Sequence, residues 1–232
     1  FNFSQALDFS VIRPIPISAL KGDNIIDRSQ NLKWYKGPSL LNYLETVDVL
    51  VNRTNQSLRF PVQWVNRPNQ NFRGFSGTVA AGKVKTGDEV RILPSEKITR
   101  IDRIVTFDGD LEQAICNQSI TLTLKDEVDC SRGQIIASAN SPLQSADQFE
   151  TVLIWMDDEV LIPGRSYYLK IGTETVSAFV SNLKHKINVN TMEKIASKTL
   201  SLNDIGIAHV TTDRPIPFIP YNDNRTLGGF IL

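Results

Sequence analysis

From Leu58 onward the apolar residues of this chain recur at every second position, and that period limits its fold more than any other feature. Phe60, Val62 and Trp64 alternate, as do Ile120, Leu122 and Leu124. Tyr167, Leu169 and Ile171 continue the pattern, followed by Val176, Ala178 and Val180 and by a run from Ile207 to Val210. Successive side chains of a strand point to opposite faces, so these runs predict half-buried strands. Between them lie Arg67-Pro68-Asn69, Gly82, Thr86-Gly87-Asp88 and Asp108-Gly109-Asp110, all turn-forming residues. Short strands with turns every ~8–12 residues predict a sandwich or barrel. Asn140-Ser141-Pro142 interrupts the pattern, and neither side of it contains a long helical repeat. The economical arrangement is two small consecutive antiparallel β-barrels, over residues 58–141 and 145–232. Phe60, Val62, Trp64 and Trp155 are expected in the barrel cores.

The first fifty residues have a different texture, mixed α and β. Val11 to Ile17 carries Pro14 and Pro16, which forbid helix and favour an extended run. Gly37-Pro38 then opens a helical pattern, with Pro38 near the first turn and Leu40, Leu41, Leu44 and Val47 on one apolar stripe that needs a cover. Asn52 to Ser57 is polar and aperiodic and reads as a linker. Residues 1–51 are therefore set apart as a third, leading region. The chain begins with Phe1, without start logic, and is read as a piece of something longer.

Charge and composition remove several function classes. Lys plus Arg and Asp plus Glu number 25 each in 232 residues, so the net charge is zero. Phosphate affinity grows with the phosphates neutralised, so a nucleic-acid partner is not expected. No apolar run approaches the ~20 residues that cross a bilayer, so neither is a membrane. Cys116 and Cys130 are too few for a disulfide framework and lie in no Cys-x-x-Cys, which points to a reducing, cytoplasmic setting. His185 and His209 show no zinc-ligand spacing with them. Asp157-Asp158-Glu159 suits a solvated turn better than an acid/base pair, and Lys184-His185-Lys186 with Arg165 suits outward charges on a strand better than an anion patch. Asn66-Arg67-Pro68-Asn69 and Phe72-Arg73-Gly74 form a polar loop with an aromatic between strands. Such a loop either meets a neighbouring domain, through Asn66, Arg67, Phe72 and Arg73, or is a plain hairpin connection.

The most informative stretch is Ile17-Ser18-Ala19-Leu20-Lys21-Gly22-Asp23-Asn24. Ser-Ala-Leu after a β-run is similar to the last nucleotide-recognition motif of GTP-binding proteins, in which the N–H of the small residue meets guanine O6. The same three residues also suit an ordinary strand exit with a serine-capped turn. Trp34-Tyr35-Lys36-Gly37-Pro38-Ser39-Leu40-Leu41 follows, and resembles the junction after the GTP-binding domain in the translation-factor GTPase superfamily. Arg73-Gly74-Phe75-Ser76-Gly77-Thr78-Val79, Gly87-Asp88-Glu89-Val90 and Asp129-Cys130-Ser131-Arg132-Gly133 resemble the second domain of that superfamily. Pro61 to Pro68, Ile104 to Asp110, Trp155-Met156, Pro163 to Tyr167, Asn203 to Gly206 and Asn224 to Leu232 narrow the likeness to one branch, the GTPase subunits of bacterial sulfate adenylyltransferase.

The resemblance implies a mainly β chain: two elongation-factor-like barrels after the α/β remnant of a GTP-binding domain. It further implies a parent that uses GTP and Mg and drives formation of adenosine 5′-phosphosulfate from ATP and sulfate with a small catalytic subunit. Ser18, Ala19 and Leu20 would be the surviving guanine contacts. No Gly-x-x-x-x-Gly-Lys-Ser/Thr, Asp-x-x-Gly or Asn-Lys-x-Asp occurs, so the chain alone is expected inactive, with no catalytic residue, no metal site and no bound cofactor. Relatives run on by another strand, so the last barrel is expected truncated, with Phe230 to Leu232 poorly paired. Two other readings fit parts of the sequence: an elongation factor that binds RNA, which shares the barrel motifs, and a non-catalytic β scaffold.

Overall fold

The computed structural model describes Phe9 and residues 11–47 and 53–232, in two compact units, residues 1–51 and 52–232. Among the described residues of the first unit, the extended run from Val11 to Ile17 forms no strand, and the one bridge pairs Ser18 with Asp23. A strand exists only against a partner, and Pro14 and Pro16 have no N–H to offer one. The helix α1 (Leu40–Thr46) begins where the side chain of Ser39 accepts from Asn42 N. Pro38 therefore precedes the cap instead of sitting in the first turn. Leu41 and Leu44 of the apolar stripe are 40% and 61% exposed.

The second unit opens with β1 (Arg59–Asn69), β2 (Phe72–Thr78), β3 (Lys83–Lys85), β4 (Glu89–Leu93), β5 (Lys97–Thr106), β6 (Gly109–Leu111), β7 (Gln113–Ile115), β8 (Ser119–Leu124) and β9 (Ile135–Ser138). The order β4-β9-β1-β2-β8-β5 returns from β5 to β4, which closes a six-stranded antiparallel ring with β6 hanging on β5. Inside it Phe60, Val62, Phe75, Ile92, Ile101, Ile104, Leu122 and Ile136 form one core. Closure brings backbone against backbone at Gly77, where a Cβ would lie 2.3 Å from the Pro61 carbonyl oxygen. The expected linker is not free chain at its described end: Arg53 O accepts from Gly82 N, and Gln56 and Ser57 pack on Gly82.

The third part of the pattern gives β10 (Gln144–Ile154), β11 (Ser166–Ile171), β12 (Glu174–Ile187), β13 (Lys194–Ile195) and β14 (Ile205–Phe218), then α2 (Arg225–Gly228) and β15 (Phe230–Ile231). Their order, β10-β14-β12-β11-β15, does not close, so this sheet is a half-barrel around Leu153, Trp155, Leu161, Leu169, Val180, Leu200 and Val210. Phe230 and Ile231 pair with Ile171 and Lys170, and Phe230 and Leu232 pack on the core, so the chain's last residues are better held than expected. A third cluster, Leu93, Ile135, Ala137, Leu143, Ile219 and Leu227, joins ring and half-barrel.

Two expectations fail in the first hairpin. Trp64 is 62% exposed, not core. A register shift between Val62 and Trp64 turns its side chain outward, beside Ser76. Arg67-Pro68-Asn69 is not the turn: β1 runs through it, and the chain reverses at Gln70-Asn71. A second shift between Asn66 and Asn69 accommodates Pro68, whose missing N–H a regular ladder would not tolerate.

Candidate functional site

The candidate nucleotide turn is a closed loop from Ser18 to Asp23. Ser18 N donates to Asp23 O at 3.1 Å and Gly22 N to Ser18 O at 2.8 Å, while Lys21 N reaches Ser18 Oγ at 3.3 Å. Gly22 takes a φ of +74°, which favours glycine. Ala19 and Leu20 form the tip; Leu20 is 94% exposed, and among the described residues neither N–H has a partner. A turn of this kind presents backbone donors beside a methyl-sized side chain, which suits the edge of a flat polar ring.

Beneath the tip sit two residues that the sequence did not single out. Asp23 accepts from Ser29 Oγ at 2.5 Å and Asn31 Nδ2 at 2.9 Å. Those hydrogen bonds, Ser29 first, hold its carboxyl below the usual range. Asn24 is 1% exposed with a φ of +55°, a conformation asparagine tolerates better than most residues. The available signal was an Asx pair directly after a glycine.

Asn66, Arg67, Phe72 and Arg73 all lie on the β1–β2 hairpin, on its strands rather than in a loop, because the turn is two residues long. Asn66 pairs with Gly74, and Asn69 with Phe72. The Arg73 guanidinium stands 5.5 Å from the Phe75 ring centroid and 3.5 Å from Asp129. Ser18–Leu20 belong to the other unit.

The remaining candidates resolve into structure. Lys184 pairs with Glu150, Lys186 with Asp204 at 3.3 Å and Arg165 with Glu159 at 3.1 Å, so the cations are matched one to one. Asp157 Oδ1 accepts from Glu159 N, the expected turn. Trp155 is buried, its Nε1 donating to Glu159 O at 2.6 Å. Burial pushes the Cys130 thiol up to about 12. Gly77-x-x-x-x-Gly82-Lys83 has the spacing of a phosphate loop but ends in Val84 and runs from β2 into β3, so no helix N-terminus is there to face an anion. Among the described residues no group of three or more His, Cys, Asp or Glu side chains is placed to hold a metal ion, and no helix is long and apolar enough to cross a membrane.

Comparison with known proteins agrees with this architecture. Residues 75–137 match the family model of elongation factor Tu domain 2, and residues 148–232 that of the GTP-eEF1A C-terminal domain-like family. The crystal structure of sup35 complexed with GMPPNP shares the fold, with a TM-score of 0.71 at 23% identity over 93% of this chain and 54% of that one. The bifunctional enzyme NodQ of Rhizobium sp. (strain N33) is 49% identical over 100% of this chain and 36% of its own length. The bifunctional enzyme CysN/CysC of Xylella fastidiosa is 46% identical, over 97% and 36%. Sulfate adenylyltransferase subunit 1 of Shewanella woodyi is 45% identical, over 100% and 49%. Matched from end to end, and spanning about half or less of those relatives, the chain is homologous to sulfate adenylyltransferase subunit 1 and its bifunctional counterparts.

Proposed function

We propose that this chain is part of the GTP-binding subunit of a sulfate adenylyltransferase, in which GTP hydrolysis drives the formation of adenosine 5′-phosphosulfate and pyrophosphate from ATP and sulfate. The observation that carries the reading is identity of 45–49% along the whole chain with proteins of that name and their bifunctional counterparts. The adenylyl-transfer chemistry is assigned to a separate small catalytic subunit, a reading supported by the name of the Shewanella woodyi relative, which is one subunit of its enzyme.

In this reading Ser18, Ala19 and Leu20 meet guanine. The tip N–H groups, which have no partner among the described residues, and the small Ala19 side chain fit the edge of the base. No phosphate-loop motif occurs in the sequence, and in this reading the rest of the parent would hold the phosphates and Mg. GTP supplies a bond whose hydrolysis is the driving reaction; these residues orient one end of the nucleotide. The three domains are drawn at residues 1–51, 58–141 and 145–232, the protein is placed in the cytoplasm, and residues 58–232 act as a coupling body that relays the nucleotide state by rigid-body shifts. Asn66, Arg67, Phe72 and Arg73 are its contact with a neighbouring domain.

The test is a chimera: residues 1–232 replace the matching stretch of the Shewanella woodyi subunit 1, and GTP-stimulated, sulfate-dependent pyrophosphate release is measured with the small subunit. Stimulation is expected to survive. A chimera that binds GTP yet gives none refutes the assignment. The chain by itself with the small subunit should give no GTP-stimulated turnover, and substantial turnover overturns the relay.

A further inference from the structure

We infer that Asn24 is the positioning residue of the guanine-facing turn, an inference that rests on the proposed reading of Ser18–Leu20. Its amide reaches both sides of the loop's base. Nδ2 donates to Pro16 O at 2.9 Å, on the extended segment that enters the turn, and Oδ1 accepts from Ser29 N at 2.8 Å, on the segment that leaves it. Its own carbonyl accepts from Leu40 N at 2.9 Å, at the first residue of α1. One buried side chain and its backbone thus tie together the segments that enter and leave the turn and the start of α1.

Asp23, its neighbour, completes the base: its carbonyl closes the loop on Ser18 N, and its carboxylate gathers Ser29 and Asn31. The tip, by contrast, has no support among the described residues beyond the Ser18 hydrogen bonds, and Ala19 and Leu20 are exposed. The direction of the Ala19 N–H is therefore set from below. A donor aimed in advance loses nothing to reorganisation on binding, and one that wanders loses most of its hydrogen bond. Asparagine is the residue that meets all the requirements. Aspartate tolerates the φ of +55° but has no donor for Pro16 O, and glycine tolerates the φ but has neither tie.

The experiment uses the natural full-length polypeptide with N24D and N24G, both compatible with the backbone. Affinities are measured for GDP, for inosine 5′-diphosphate, which keeps O6 but lacks the 2-amino group, and for 2-aminopurine riboside diphosphate, which lacks O6. Positioning predicts that the preference for GDP over the 2-aminopurine nucleotide falls about three- to tenfold in both variants, the worth of one neutral hydrogen bond. The GDP-to-inosine ratio stays as in the wild type, because a different group reads the 2-amino position. A uniform loss across all three nucleotides, or unchanged ratios in variants that melt like the wild type, overturns the role of Asn24. A wild-type protein that binds GDP no better than the O6-less analogue overturns the reading of the turn itself, which is a separate result.

Discussion

Replacing Arg91 by alanine tests how firmly ring and half-barrel are joined. Its side chain is 20% exposed. Nη2 donates to the Ser141 carbonyl at 2.6 Å and the Leu143 carbonyl at 3.0 Å, and these two residues, in the segment between β9 and β10, are 5% and 3% exposed. Hydrogen bonds from a charged donor contribute about 1.5–3 kcal/mol each, so the pair amounts to roughly 3–6 kcal/mol. Two smaller contributions, of opposite sign, modify this. Nη1 also meets Glu96 at 2.7 Å, but Glu96 is half exposed and the pair adds at most about 1 kcal/mol. Nε is buried without a partner, a cost of about 1–3 kcal/mol that alanine removes. The net loss should be about 2–4 kcal/mol, or a fall in Tm of roughly 4–16 °C for a body of this size. Arg91→Lys should recover only part, since an ammonium lacks the planar fork. Urea unfolding of the chain, followed by Trp155 fluorescence and by circular dichroism, measures it. A loss below about 0.5 kcal/mol refutes the clamp, since that is what an ordinary surface change costs.

Trp64→Ser should shift stability by no more than about 0.5 kcal/mol in a thermal melt, because the ring is mostly in water; a loss near 3–5 kcal/mol would return Trp64 to the core. Cys130, its pKa pushed up to about 12 by burial, should resist iodoacetamide at pH 8 in the native protein, and labelling as fast as Cys116 would contradict this. The raised value also sets a sign: the stability Cys130 contributes is intact below the free-thiol range near ~8.5 and is lost as pH climbs through that range toward 12. Amides of α1 should exchange faster than those of β8, since seven residues are well under the ~12–15 an isolated helix needs and Leu41 and Leu44 are exposed; equal protection would refute it.

The alternation that placed Ile120 and Leu122 in a strand worked because their register is regular, Gly77 to Ile120 and Phe75 to Leu122. It failed at Trp64 because one extra residue in β1 inverts every side chain beyond it, and a bulge leaves no mark in hydrophobic spacing. Pro68 misled for a related reason: as a turn residue it signals reversal, while the second shift lets the strand absorb it. In the candidate site, the Ser18-Ala19-Leu20 tip was legible as a motif. Its support was not, because Asn24 acts on Pro16 and Ser29, contacts that propensity and periodicity do not encode. The half-barrel was also beyond pattern reading, since closure depends on which edges meet and not on the strands themselves.

The junction between the two sheets was, by contrast, written in the places where alternation stops. Ile92 and Leu93 are adjacent on β4 and both fully buried; Ile135, Ile136 and Ala137 on β9 repeat this. A strand of a lone barrel has one dry face, so consecutive buried residues require a second cover. Ile92 and Ile136 serve the ring core, while Leu93, Ile135 and Ala137 turn outward onto Leu143, Ile219 and Leu227. The polar groups caught there are answered from the other side: Thr173 Oγ1 donates to Val62 O at 3.0 Å, and Asn224 Nδ2 to Ala80 O at 3.3 Å. Asn224 also caps α2 through Thr226 N and Leu227 N, so the residue that satisfies the ring backbone also fixes the helix that carries Leu227 into the shared cluster. Sliding one sheet over the other would expose those leucines and break both of those hydrogen bonds together, which is why the proposed coupling body is expected to move as a unit or not at all.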